Sequence, residues 1–129
     1  MDMQIIFPGG KRVDSVYKGF TVNTDQPSSE GGDGTAPEPY DLFLSSIGTC
    51  AGVYLVYFCD ARNISMEGIA MSVTVEHNEK THVMEKIGIH IVFPDHFPQK
   101  YLKAAVKAAE MCTVKRSLLN PPDIQIHAE

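Results

Sequence analysis

The chain has 129 residues, 43% hydrophobic and 21% charged, a composition that fits one ordinary globular domain spanning residues 1–129. Its 16 acidic and 11 basic residues leave a formal net charge of -5, and no basic stripe could neutralise a row of phosphates, so nucleic acid is not an expected partner. The first residues, MDMQIIFPGGKR, lack a basic stretch followed by an apolar one, which favours a cytoplasmic protein, and three cysteines without short spacing do not make a disulfide scaffold.

Residues 3 to 24 read as three short strands. QIIF, RVDSVY and FTVNT are separated by Pro8-Gly9-Gly10 and by Lys18-Gly19, a meander pattern. Residues 25 to 39, DQPSSEGGDGTAPEP, form a loop rich in Gly, Pro, Ser and acid. Pro39 suits the first helical position. The capping-box match Thr35-x-x-Glu38 would put Pro39 where an N–H is needed and is rejected. A long helix is expected from about Tyr40 to Arg62.

Within that helix the uncharged run Leu42–Cys59 is 18 residues, at the short limit for a membrane span. It contains Ser45, Ser46, Thr49 and two glycines, and no basic cluster orients it, so a buried core helix is the expected reading. No membrane partner is implied. Ile69, Met71, Val73 and Val75 then alternate, as do Ile87, Ile89, Ile91 and Phe93 beyond the polar turn HNEKTH, the pattern of a hairpin with one buried face. Leu102, Ala105, Val106 and Ala109 recur at helical spacing within residues 99 to 111. A short helix over 114–119 stops at Asn120-Pro121-Pro122, and IQIH closes the chain as a possible last strand. Strands come in runs and do not alternate with helices, so the class is α+β with antiparallel sheets.

The three thiols differ in setting. Nine residues separate Cys50 from Cys59, which puts them on opposite faces of the helix at about 100° per residue. Cys59 follows Tyr54, Leu55, Val56, Tyr57 and Phe58, a core environment in which a thiol behaves as a small inert hydrophobe. Cys50 stands among small residues, Ser46, Gly48, Thr49, Ala51 and Gly52, which let another element or a ligand approach closely. Cys112 sits where two expected helices join. It reads equally as a thiol activated by a helix start with Lys115 and Arg116, or as a buried cysteine ending an apolar stripe. Tyr40, Tyr54 and Tyr57 could line an apolar pocket, although tyrosines at helical spacing are commonly core. His77, His82 and His90 lie on the hairpin without the spacing of a zinc module, and no metal or other cofactor is expected.

The stretch PEPYDLFLSSIGTC, followed 62 positions later by CTVKRSL, resembles the OsmC/Ohr family of osmotically inducible and organic-hydroperoxide-resistance proteins. The resemblance covers essentially the whole chain. It implies an intertwined homodimer with a long central buried helix and an active site at the subunit interface. By the same resemblance Cys50 is the peroxidatic thiol and Cys112 the resolving thiol, a small-molecule hydroperoxide is the substrate, and an external dithiol is the reductant. Peroxidase members pair an Arg of the N-terminal sheet with a Glu ten residues before the reactive Cys. That position here is Tyr40, the nearest acids are Glu38 and Asp41, and the candidate cations are Lys11 and Arg12. Tyr40, Ser46 and Thr49 are the candidates for substrate contact. The departure at Tyr40 leaves a second reading, a redox or sulfur-handling protein on the same scaffold without significant peroxidase activity, and a third, a binding module with silent thiols.

Overall fold

The computed structural model describes residues 1–129, which form two compact units, 1–44 and 45–129. In the first, β1 (Gln4–Gly9), β2 (Arg12–Tyr17) and β3 (Phe20–Val22) make an antiparallel meander in the order β1-β2-β3. The turns follow from backbone chemistry. Lys18 (φ 47°) and Gly19 (φ 79°) both take left-handed conformations, so Tyr17 pairs directly with Phe20 across a two-residue hairpin loop. Pro8 lies inside β1, next to the register shift between Ile6 and Gly9; a residue without an N–H is tolerated at such an edge irregularity.

Two buried acids organise the segment after β3. Asp14 on β2 accepts from the Asn23 amide nitrogen at 3.0 Å and from the Thr24 N–H at 3.2 Å. Asp25, 1% exposed, accepts from the Gln26 N–H (2.8 Å), the Thr35 N–H (3.0 Å) and the Thr35 hydroxyl (2.6 Å). These bonds close the glycine-rich loop upon itself, around a single helical turn at Ser28–Glu30. Thr35 thus serves Asp25 and caps no helix.

The long helix α1 spans Pro39–Asp60, two residues shorter at its C-terminal end than expected. Glu38 stands before it, its carbonyl accepting from Leu42 N–H at 3.3 Å, and the Asp41 carboxylate reaches back to the Glu38 N–H at 3.3 Å. This is one arm of a capping box, shifted three residues from the rejected match. By length and composition α1 could cross a membrane, but Ile47, Ala51, Leu55, Phe58 and Cys59 form a buried stripe at helical spacing, the mark of a core helix.

In the second unit β4 (Ala70–His77) and β5 (Met84–Val92) pair antiparallel. Their register sets Met71 opposite Ile91, Val73 opposite Ile89 and Val75 opposite Ile87, so the two alternating apolar sets share one face. Asn78 shapes the turn, its side-chain oxygen accepting from the N–H groups of Lys80 and Thr81, both at 2.9 Å. A single turn at Gln99–Tyr101 leads into α2 (Leu102–Glu110), and α3 (Thr113–Leu119) follows. Leu55, Phe58, Cys59, Phe97 and Ala105 make one core cluster, while Ala51, Ala109 and Cys112 make a second, with Cys50, Met71, Ile91 and Val114 packed against it.

The last strand expected at IQIH does not form. Residues 121–129 have no regular structure, and Ile124 (83% exposed) and Ile126 (94%) are not buried. Period-two alternation permits a strand, but a strand also needs an edge to pair with.

Candidate functional site

Cys50 lies in the middle of α1, and Cys112 is the residue before α3. The close approach of α1 to the hairpin depends on Gly48. A Cβ there would lie 2.6 Å from Val73 Cγ2, whereas one on Gly52 would meet the Met71 sulfur at an ordinary 3.7 Å. Ala51 (0% exposed) packs in the same cluster as Ala109 and Cys112, which brings the start of α3 to the helix carrying Cys50. Near Cys50, Gly48 leaves room for the Val73 side chain.

The two sulfurs meet there. Both are free thiols, and Cys50 packs against the cluster that holds Cys112, close enough for each to act on the other's ionisation. Cys112 is 1% exposed and caps α3, its sulfur accepting from the Lys115 N–H at 3.3 Å. Its S–H has an acceptor in the Ile47 carbonyl at 4.0 Å. Cys50 is half-buried, and the N–H groups of Val114 and Thr113 favour its charged form.

The electrostatics separate the pair. Burial pushes the Cys50 thiol up, but the Val114 N–H, the Cys112 side chain, the Thr113 N–H and the Arg116 charge together bring it below its ordinary value. Cys112 goes the other way. Burial raises it, the side chain and charge of Cys50 raise it further, and the Lys115 and Val114 N–H groups do not offset this. Of the two readings of Cys112, the buried cysteine that ends an apolar stripe is the one the structure bears out. Cys112 is the cap itself, and the N–H groups of the next two residues, with Arg116, act on Cys50. Cys59 is 0% exposed in the main core cluster, its thiol raised by burial and by the Asp60 charge, in keeping with an inert thiol.

A network unseen in the sequence borders the pair. The Tyr54 and Thr113 hydroxyls are 2.8 Å apart, and Arg116 Nη2 donates to each at 3.4 Å. Tyr54 is thus neither a core residue nor a wall of either cavity described below, and Tyr57 is 61% exposed. The only sequence signal for the network was the i, i+3 spacing of Thr113 and Arg116.

Two cavities of about 290 Å³ each adjoin this region. Cys112 lines the first with Ile47, Ile87, Ile91, Ala109 and Leu118, and Glu110 and Lys115 supply its charged groups. Thr49 lines the second with Ser45, Gly48, Met71, Ser72 and Val73. The Thr49 hydroxyl bonds back to the Ser45 carbonyl at 2.9 Å, and Ser46 is half-buried on α1.

The remaining candidates belong to the N-terminal unit. Arg12 Nε donates to the Gly9 carbonyl at 3.5 Å, and the Lys11 side chain passes beside Gly31, where a Cβ would be 3.5 Å from Lys11 Cε. Glu38 and Asp41 come together at the start of α1, and the Tyr40 and Phe43 rings stack with centroids 5.8 Å apart. On the hairpin, His77 pairs with Met84 and His90 with Ser72, and the histidines are not gathered into a cluster with other metal-binding side chains.

The chain is similar in fold to several solved structures. A protein of Psychrobacter arcticus described as a putative osmotic stress induced and detoxification response protein is 22% identical, with a TM-score of 0.74 over 89% of this chain and 85% of that one. An OsmC-like protein of Mycoplasma pneumoniae is 14% identical, with a TM-score of 0.72 over 93% and 87%. The organic hydroperoxide resistance protein OhrB of Bacillus subtilis is 20% identical, with a TM-score of 0.56 over 94% and 93%. No curated protein matches the sequence. The OsmC-like protein family model matches residues 32–127, a stretch that includes α1, both thiols of the site, the hairpin and α3. With this match over most of its length, and with an α+β fold shared with OsmC and Ohr structures, the chain belongs to the OsmC-like family.

Proposed function

We propose that the protein is a thiol-dependent peroxidase that reduces organic hydroperoxides in oxidative stress defence, with Cys50 as the attacking thiol and Cys112 as the resolving one. The observation that carries this reading is the packing together of two free thiols of opposite tendency, Cys50 lowered and Cys112 raised. A thiolate is the nucleophile in such chemistry, and a protonated thiol beside it is ready to donate.

The Cys50 thiolate attacks one peroxide oxygen, the O–O bond breaks, and the departing alkoxide takes a proton and leaves as alcohol, giving a sulfenic acid. The Cys112 sulfur then attacks the Cys50 sulfur, water leaves, and a disulfide joins the two residues. An external dithiol restores both thiols by exchange. The apolar surroundings, Ile47, Met71, Ile91 and Val114, favour an alkyl hydroperoxide over hydrogen peroxide.

Cys50→Ser is expected to lose turnover by several orders of magnitude, since a hydroxyl is a far weaker nucleophile than a thiolate at neutral pH. Cys112→Ser should consume about one equivalent of peroxide and then stop as sulfenic acid, detected by a dimedone adduct on Cys50. Sustained turnover by Cys50→Ser would overturn the reading. Tyr40, at the position where peroxidase members carry Glu, favours the second reading, a redox or sulfur-handling protein of the same fold. In that case Cys50 would alkylate readily yet ignore peroxide.

The site is proposed to work in a cytoplasmic homodimer. On α1, Val53 (38% exposed) and Tyr57 (61%) are left outside the core, and on β1, Ile5, Ile6 and Phe7 are exposed. Sedimentation at micromolar concentration should give twice the chain mass; a stable folded monomer would contradict this assembly.

A further inference from the structure

We propose that Arg116, held by the hydroxyls of Tyr54 and Thr113, is the positioning residue that steadies negative charge on the Cys50 sulfur in this chain. The inference rests on Cys50 being the reactive thiol of the proposed function, and it names the cation that serves it.

The geometry is a short chain of contacts between α1 and α3. Tyr54 is four residues beyond Cys50 and so on the same face of α1, one turn away. Its hydroxyl meets that of Thr113 at 2.8 Å. Thr113 directly follows Cys112, and its N–H, with that of Val114, favours the charged form of Cys50. Arg116 Nη2 reaches both hydroxyls at 3.4 Å, so the guanidinium is tied to α1 one turn above the thiol and to the first residue of α3 beside it. A flexible side chain near the surface is thereby held at a defined place. A guanidinium suits the role because it stays charged at any working pH and its fixed fork can serve two oxygens.

The Val114 N–H, the Cys112 side chain and the Thr113 N–H each weigh more than Arg116 on Cys50, and Arg116 adds the full charge that they lack. Cys112 is the remaining titratable group that acts on it, and the hairpin contributes the uncharged Met71 and Ile91. Lys115, the next cation, lines the cavity that holds Cys112 and Glu110. Opposite charge in the neighbourhood favours the ionised thiol, and solvent around the exposed Arg116 moderates the effect.

The test is the pH dependence of Cys50 alkylation by iodoacetamide, read at the Cys50 peptide by mass spectrometry, in the full-length protein. Arg116→Ala should raise the midpoint by about 0.5–1 pH unit, less than a fully buried pair would give. Arg116→Lys should recover part of that shift, since the charge returns without the fork. Tyr54→Phe should shift the midpoint less than Arg116→Ala but in the same direction, and it carries the test if Arg116→Ala does not fold. High salt should shrink the difference between wild type and Arg116→Ala. Superposable profiles for wild type, Tyr54→Phe and a folded Arg116→Ala would overturn the proposal, as would a midpoint that moves with Arg12→Ala and not with Arg116→Ala. No peroxide enters this assay. A shifted profile in a protein inert to peroxide would sink the peroxidase reading while leaving Arg116 in its role.

Discussion

Asp25 shows how far a single residue in a loop can matter to the fold. The Thr35 hydroxyl, then the Thr35 and Gln26 N–H groups, hold its carboxyl at about 2, down from 3.8, against the opposing effect of burial. A carboxylate depressed on folding contributes stability that is complete above its unfolded pKa and is lost as pH falls through the folded one. The contribution of Asp25 should therefore be intact above about pH 4 and fade between about 4 and 2. Urea midpoints for wild type and Thr35→Val, measured from pH 6 to pH 2, should differ most at the upper end and converge towards the lower. A constant difference across that range would show that the Thr35 bond does not act through Asp25. None of this was legible in DQPSSEGGDGTAPEP, which announced a loop by composition but gave no sign of which acid would turn inward. The thiols were half-legible. Bulk around Cys59 and smallness around Cys50 correctly separated a core position from an approachable one. Which of the two readings of Cys112 holds was not readable, because burial and the neighbouring Cys50, which raise its thiol against the N–H groups of α3, arise only on folding.

At the level of elements, the strongest local patterns were the most readable. The hairpin followed from alternation, since period two with one buried face fixes both strand identity and register. The turn at Lys18-Gly19 and the start of α1 at Pro39 followed from backbone constraints carried by those residues themselves. The final strand was misread because its partner edge is not a property of the segment. The uncharged run of α1 resolves into a buried stripe and an exposed side bearing Val53 and Tyr57. Gly48 tests the packing of that stripe. Val73 is β-branched and cannot swing its methyl away cheaply, so a side chain at residue 48 must displace the hairpin or the helix. Gly48→Val should cost about 2 kcal/mol by overpacking, seen as a lower urea midpoint with an unchanged m value. Stability equal to wild type would mean that α1 and β4 are more loosely packed than a 2.6 Å approach allows.

For the molecule as a whole, family membership and α+β class were legible, because they rest on element order and on the two cysteine contexts together. The network that joins α1 to α3 was not, since Tyr54 and Arg116 are 62 residues apart in the chain and only folding makes them neighbours. In the proposed function, Cys50 and Cys112 form one redox pair and Cys59 stays out of it. Peptide mapping after treatment with an alkyl hydroperoxide tests this most directly. The protein should lose two hydrogens, with Cys50 bonded to Cys112 and Cys59 still alkylatable after denaturation. A disulfide containing Cys59, or three unchanged thiols after excess peroxide, would contradict the account.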